Sequence, residues 1–122
     1  MKTIIAGSRS IDDPQIVWDV IAASGFKISQ VVSGCARGVD KMGEGWAEDH
    51  GIPVVRFPAF WSGHGKKAGI MRNEDMGNYA EALIAVWDGE SRGTAHMIEY
   101  ARQKGLAVSV ALVHNLANEN DR

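Results

Sequence analysis

The chain has 122 residues, enough for one domain around one core and too few for two. Hydrophobic residues make up 45% and charged residues 23%, a globular mixture that excludes a disordered chain. Thirteen Lys and Arg against fifteen Asp and Glu leave a net charge of −2, which argues against a broad electrostatic grip on duplex DNA but leaves room for a local basic patch.

In chain order, Thr3-Ile4-Ile5-Ala6 is a continuous apolar run of the kind that forms a strand buried on both faces. After Gly7-Ser8-Arg9-Ser10, the pair Asp13-Pro14 predicts a helix start, with an acceptor at the cap and a ring tolerated in the first turn. Ile16, Val17, Val20 and Ile21 follow at helical spacing, and Gly25 ends the helix. Gln30-Val31-Val32-Ser33 reads as a second strand. Val39, Met42, Gly43, Trp46 and Ala47 mark one face of a second helix, stopped by Gly51 and Pro53. Val54-Val55-Arg56-Phe57 is the third strand. Residues 58–67 read as a loop with glycines and aromatics, and a helix follows from about Ala68 to Tyr79. Ala82 to Trp87 is the fourth strand. Thr94, Met97, Ile98 and Ala101 set an apolar stripe on a helix closed by Gly105, and Ala107 to Val113 is the fifth strand.

Apolar runs alternating with amphipathic helices predict an α/β domain over residues 1–114, with a polar tail over 115–122. Its centre is a mostly parallel five-stranded sheet, because short connections through helices are right-handed crossovers between parallel strands. In such sheets the ligand crevice lies at the carboxyl ends of the strands. The single Cys35 excludes an intrachain disulfide and fits a reducing compartment. The apolar run at residues 1–7 is too short for a signal peptide and no later run approaches a membrane span, so a soluble cytoplasmic protein is expected.

Four loops on that edge concentrate Gly, Ser or Thr, and basic residues: Gly7-Ser8-Arg9, Ser33 to Gly38, Gly63 to Lys67, and Asp88 to Thr94. Glycine lets the backbone approach a ligand, and a helix that starts straight after such a loop offers free N–H groups to an anion. Arg9, Arg37, Lys66, Lys67, Arg72 and Arg92 are six of the thirteen basic residues and all fall near this edge. The clustering favours a phosphate-bearing ligand over a neutral one.

The strings Gly7-Ser8-Arg9, Ser33-Gly34-Cys35-Ala36-Arg37-Gly38-Val39-Asp40, Pro58-Ala59-Phe60-Trp61, Gly65-Lys66-Lys67-Ala68-Gly69-Ile70-Met71-Arg72-Asn73 and Trp87 to Thr94 resemble, in order, those of the SLOG superfamily. The branch they resemble is the YspA-related SLOG family, over about residues 1–113. The Gly-Lys-x-Ala-Gly-x-x-Arg-Asn string is the most specific part; the Ser-Gly-x-Ala-Arg-Gly-x-Asp string is shared with the DNA-processing protein A family. The resemblance implies a Rossmann-like three-layer sandwich that binds a nucleotide or nucleotide-derived signal, as a sensor or sequestering protein, with no other cofactor evident. Expected ligand contacts are Gly7, Ser8 and Arg9; Ser33, Gly34, Ala36, Arg37, Gly38 and Asp40; Trp61, Lys66, Gly69, Arg72 and Asn73; and Asp88, Ser91, Arg92, Gly93 and Thr94.

The related Lonely Guy enzymes are nucleoside-monophosphate phosphoribohydrolases and use a Gly-Gly-x-Gly-Thr-x-x-Glu loop with an upstream arginine. Asp88 to Thr94 is similar to that loop and Arg72 suits the arginine, but the position three after Thr94 is Met97, and Glu99 lies roughly 200° further round the helix. Asp40, Asp88 and Glu90 are the carboxylates that stand in as candidates if an N-glycosidic bond is cleaved. Binding without catalysis is the first expectation, hydrolysis the second, and a single-stranded DNA module the third, disfavoured by the acidic charge. His50, His64, His96 and His114 show no metal-ligand spacing with Cys35, so no metal is expected. Trp61 and Phe60 in the third loop suit either of two roles, stacking on a base or covering an apolar helix end or subunit contact. The resemblance also carries a homodimer, to which spare apolar surface at Trp18 adds weak support.

Overall fold

The computed structural model describes residues 1–113, the side chain of Lys66 excepted; the tail expected over 115–122 and His114 lie outside the described residues. Five strands, β1 (Lys2–Gly7), β2 (Gln30–Ser33), β3 (Val54–Arg56), β4 (Ala82–Trp87) and β5 (Ala107–Leu112), form one sheet in the order β3-β2-β1-β4-β5. Every neighbouring pair is parallel, so the sheet is wholly rather than mostly parallel. The helices are α1 (Pro14–Ser24), α2 (Val39–Asp49), α3 (Trp61–His64), α4 (Ala68–Tyr79) and α5 (Arg92–Gln103).

The three layers follow from the side-chain alternation of strands. Ile4, Ala6, Val32, Leu83 and Ala85 point to one face, where they pack with Met76 and Ala80 from the α4 side and Met97, Ile98 and Ala101 of α5. Ile5, Val31, Ile84 and Val86 point to the other, against Val17 and Ile21 of α1 and Val39 and Ala47 of α2. Leu83, Ile84, Ile4 and Ile5 are fully buried, at about 1.5–3 kcal/mol each relative to exposure, and this places the core along β1 and β4. Asp13 caps α1 by accepting the Gln15 amide at 3.0 Å, Pro14 occupies the first turn, and Gly25 ends the helix in the left-handed region at φ +69°.

Two expectations are corrected. Residues 58–67 are not all loop: Trp61–His64 forms the short α3 and Gly65–Lys67 a 3-10 turn running into α4. Single turns are too short to show periodicity. Trp18 does not offer spare apolar surface; it is half-buried against the α1–α2 core, with its indole N–H buried and without a hydrogen-bond partner. Among the described residues the exposed large apolar side chains are instead Phe60, Trp61, Ile70 and Met71 around α3 and the start of α4, with Val110 and Leu112 on the edge strand and Met1 at the start of the chain. Among the described residues no helix is long and apolar enough to cross a membrane.

Candidate functional site

The chain builds β1, β2 and β3 toward one edge and then returns beside β1 to build β4 and β5 toward the other. The loops after β1 and β4 therefore diverge, and a crevice opens at the carboxyl ends of these two strands. A cavity of about 770 Å³ lies there, within the usual range for small-molecule sites. Its walls come from five segments: Ala6, Gly7 and Arg9; Gly34 to Arg37 with Asp40; Pro58, Ala59 and Trp61; Arg72, Asn73 and Met76; and Ser91, Gly93, Thr94 and Met97.

The loop between β2 and α2 is held from below. The Ser33 hydroxyl donates to Glu44 Oε2 at 2.6 Å and accepts the Cys35 amide at 3.1 Å. Glu44 is itself paired with Arg56 at 3.0 Å. This bracing sustains Cys35 at φ +67°, a left-handed conformation that costs a residue with a side chain of order 1–3 kcal/mol. Gly38, at φ +81°, closes the loop where a β-carbon would lie 2.8 Å from the Arg9 and Ser8 carbonyl oxygens, so the first and second loops stack directly.

Asp40 lies in the first turn of α2, only 5% exposed, with Oδ2 accepting the Ala36 amide at 3.2 Å. Burial pushes its carboxyl up to about 6; the Ala36 amide, the Arg72 charge and the Gly7 amide oppose that rise without cancelling it. Arg72 extends from α4 across the cavity wall and donates Nη1–H to the Gly34 carbonyl and Nε–H to Asn73 Oδ1. Asn73 carries the bridge onward: its amide donates to the Gly93 carbonyl at 3.1 Å and lies 3.2 Å from His96 Nδ1. One adjacent pair on α4 thus ties the second loop to the start of α5.

Ser91 caps α5, its hydroxyl accepting the Thr94 amide at 3.5 Å and lying 3.1 Å from the Thr94 hydroxyl. The turn ahead of it is organised by Asp88, whose Oδ1 accepts the Glu90 and Ser91 amides, each at 2.8 Å. Slight desolvation pushes Asp88 up, but those amides and the Ser8 and Ser10 hydroxyls outweigh it and hold the carboxyl below its ordinary value. Ser8, 1% exposed, accepts the Asp88 amide at 3.0 Å and so joins the first and fourth loops.

Of the residues expected at a ligand, Gly7, Arg9, Gly34, Ala36, Arg37, Asp40, Trp61, Arg72, Asn73, Ser91, Gly93 and Thr94 come together around one cavity. Ser8, Ser33, Gly38 and Asp88 do not line it; they brace the loops that do. Gly69 stays outside too, leaving room for the Trp61 ring, whose edge would lie 3.2 Å from a β-carbon there. Arg92, Glu90 and Lys67 are exposed and absent from the lining, and the side chain of Lys66 lies outside the described residues. Of the five basic residues with described side chains that were expected at the mouth, Arg9, Arg37 and Arg72 are in the lining. Among the carboxylates weighed for catalysis, Asp40 alone reaches the cavity; Met97 lines it, and Glu99 is exposed as its helical angle requires.

Sequence reasoning missed Ala6, Cys35, Pro58, Ala59, Met76 and Met97 as wall residues and Glu44 as the brace. Glu44 had a usable signal: it sits four residues after Asp40, one turn along the same face of α2. Among the described residues no group of three or more His, Cys, Asp or Glu is arranged to hold a metal ion.

Comparison with known proteins agrees with this architecture. The family described as YspA, cpYpsA-related SLOG (YAcAr) matches residues 1–64. The Gene 61 protein of Mycobacterium phage D29 is 34% identical over 116 residues, covering 88% of this chain and 93% of that one. The X-ray structure of DNA processing protein A (DprA) from Streptococcus pneumoniae superposes with a TM-score of 0.73 at 18% identity, covering 89% of this chain and 49% of that chain. The chain thus spans about half the length of that protein, and the likeness is one of fold. With its sheet order, its glycine corners and these matches taken together, the chain belongs to the YspA, cpYpsA-related SLOG family.

Proposed function

We propose that the cavity binds a phosphorylated nucleotide or nucleotide-derived ligand, and that the protein acts as a sensor or sequestering protein for it. One observation carries this reading: the starts of α2 and α5 and the side chains of Arg9, Arg37 and Arg72 all converge on a single cavity at the strand-order switch. Free N–H groups at helix starts and guanidinium donors are both suited to phosphate oxygens. Trp61, 54% exposed, gives the opposite wall an aromatic face for a base. Isothermal titration against nucleoside mono- and diphosphates, cyclic nucleotides and ADP-ribose tests it. A binder weakened by Arg37→Ala is the expected result; no binding across the panel removes the proposal. Because one structural relative is a DNA processing protein, single-stranded oligonucleotides belong in the same panel, with a salt-dependent shift as their signature.

A second reading, N-glycosidic hydrolysis, draws on Asp40, a buried carboxyl in the cavity with its pKa raised to about 6. It requires free base to appear from a nucleoside monophosphate, and chromatography showing none with folded protein removes it. The homodimer is retained as part of the proposal, with Phe60, Ile70 and Met71 as the exposed apolar surface for it. Sedimentation of a single-chain species at high concentration counts against that part alone.

A further inference from the structure

We infer that the cavity takes up a proton from solvent when it binds an anionic ligand, and that Asp40 is the group that accepts it. The inference rests on the nucleotide reading above and adds a regulation to that site: acid strengthens binding and alkali weakens it.

Among the described residues Asp40 is the single carboxyl in the cavity wall, and it is 5% exposed. It shares the wall with Arg9 from the loop after β1, Arg37 from the loop ahead of α2, and Arg72 of α4. Cys35 is the remaining titratable side chain there; β1, β2, β3, α1 and α5 put no charged side chain into the wall. Glu44, one turn along α2, repels a charge on Asp40, but is itself paired with Arg56 of β3 at 3.0 Å and with Lys41 at 3.8 Å. Among the described residues Asp40 makes no ion pair of its own. Its Oδ2 instead accepts the Ala36 amide, in the loop ahead of α2, at 3.2 Å.

An anion changes this balance in one direction. Arg72 is the cation whose charge acts on Asp40, and a phosphate is drawn to the same guanidinium. Once bound, it offsets the attraction of Arg72 and adds negative charge where water screens poorly. A like charge disfavours the ionised carboxyl, and protonation relieves the repulsion. The protonated group also offers an O–H donor where the carboxylate offers lone pairs alone.

The step is small because burial already holds the Asp40 carboxyl up at about 6. A unit charge within about 10 Å, at an effective dielectric of about 20, moves a protonation equilibrium about tenfold, which carries the group to neutrality. An anion in a cavity of about 770 Å³ acts over a path of that order.

The test is isothermal titration of the full chain with cyclic nucleotides and ADP-ribose, whose phosphate diesters do not titrate between pH 5 and 8, and with nucleoside mono- and diphosphates. Repeating each titration at pH 6.5 in two buffers of different ionisation enthalpy reads the protons exchanged. Uptake of about half a proton is expected, with affinity falling about five- to tenfold from pH 5.5 to 8. Asp40→Asn, neutral throughout, should abolish the uptake for the diester probes and flatten the profile. It should bind about tenfold tighter than wild type at pH 8 and equally at pH 5. For the monoesters, which have a second ionisation near pH 6 of about this size, the uptake is read as wild type minus Asp40→Asn. Carbon-13 spectra of the wild-type chain supply a measurement that needs no variant: the Asp40 carboxyl should titrate at higher pH with the bound probe than without it. Proton release, no exchange, a diester uptake that survives in Asp40→Asn, or an unmoved Asp40 titration overturns the inference while the nucleotide reading stands. Binding of no compound between pH 5 and 8 overturns that reading and this inference with it.

Discussion

Arg72 and Gly34, 38 positions apart in the chain, are joined by a hydrogen bond from the guanidinium to the carbonyl, made over backbone that no β-carbon shields. The same guanidinium donates through Nε to Asn73 Oδ1 at 3.0 Å. A single planar group therefore ties the loop between β2 and α2 to α4 at the cavity wall.

Replacing Gly34 by Ala puts a methyl group into the space of Arg72 Nη1 and Asp40 Oδ2. The flexible arginine swings away and a charged hydrogen bond is lost, at about 1–3 kcal/mol. Arg72→Lys loses it as well, since an ammonium cannot make the Nη1 and Nε contacts at once. Denaturant unfolding should show both variants destabilised by similar amounts; a neutral Arg72→Lys would contradict the tether.

Asp40 makes stability depend on pH. The folded chain keeps its proton to about pH 6, whereas the unfolded chain releases it near 3.8. Between these values the folded state binds more protons, so the contribution of Asp40 falls as pH rises from about 4 to 6, by about 3 kcal/mol in total. Asp40→Asn removes this slope. Thermal unfolding should find the variant equal to wild type below pH 4 and more stable at pH 7; parallel curves across that window would falsify the assignment.

Asn73 is 5% exposed, and its amide is satisfied by Arg72 and Gly93. Asn73→Ala leaves the Gly93 carbonyl without its partner and frees the start of α5, at about 1–3 kcal/mol. Hydrogen exchange should then quicken at the amides of residues 91–95 while those of β1 and β4 keep their protection. Uniform quickening across the sheet would instead mean that Asn73 supports the whole fold.

Trp61 should separate binding from stability. At 54% exposed it contributes little to the core, so Trp61→Ala is expected to shift unfolding by less than about 1 kcal/mol. If a base stacks on it, nucleotide affinity drops by roughly 5- to 150-fold, the equivalent of about 1–3 kcal/mol. A variant that binds as tightly as wild type returns Trp61 to a role in covering the end of α4.

Local patterning suffices for the strands and most of the helices, because these depend on neighbours in the chain. The apolar runs at Gln30–Ser33 and Ala82–Trp87 are bounded by residues that break them, and Asp13-Pro14 and Gly25 are local caps whose chemistry works in any fold. The rim of glycines and arginines was legible for a related reason: loops at strand ends are countable once the strands are known. Which polar side chains face the cavity depends instead on long-range packing. Asp40 and Asp88 look alike in the sequence, yet one is buried in the wall and the other folds back onto the amides of its own turn. Ser33 and Ser91 divide in the same way, one bracing Glu44 and the other at the mouth. The difference arises because the return of β4 beside β1 brings residues 34, 72 and 93 within one hydrogen-bonded bridge, and contacts across such separations leave no mark on local periodicity.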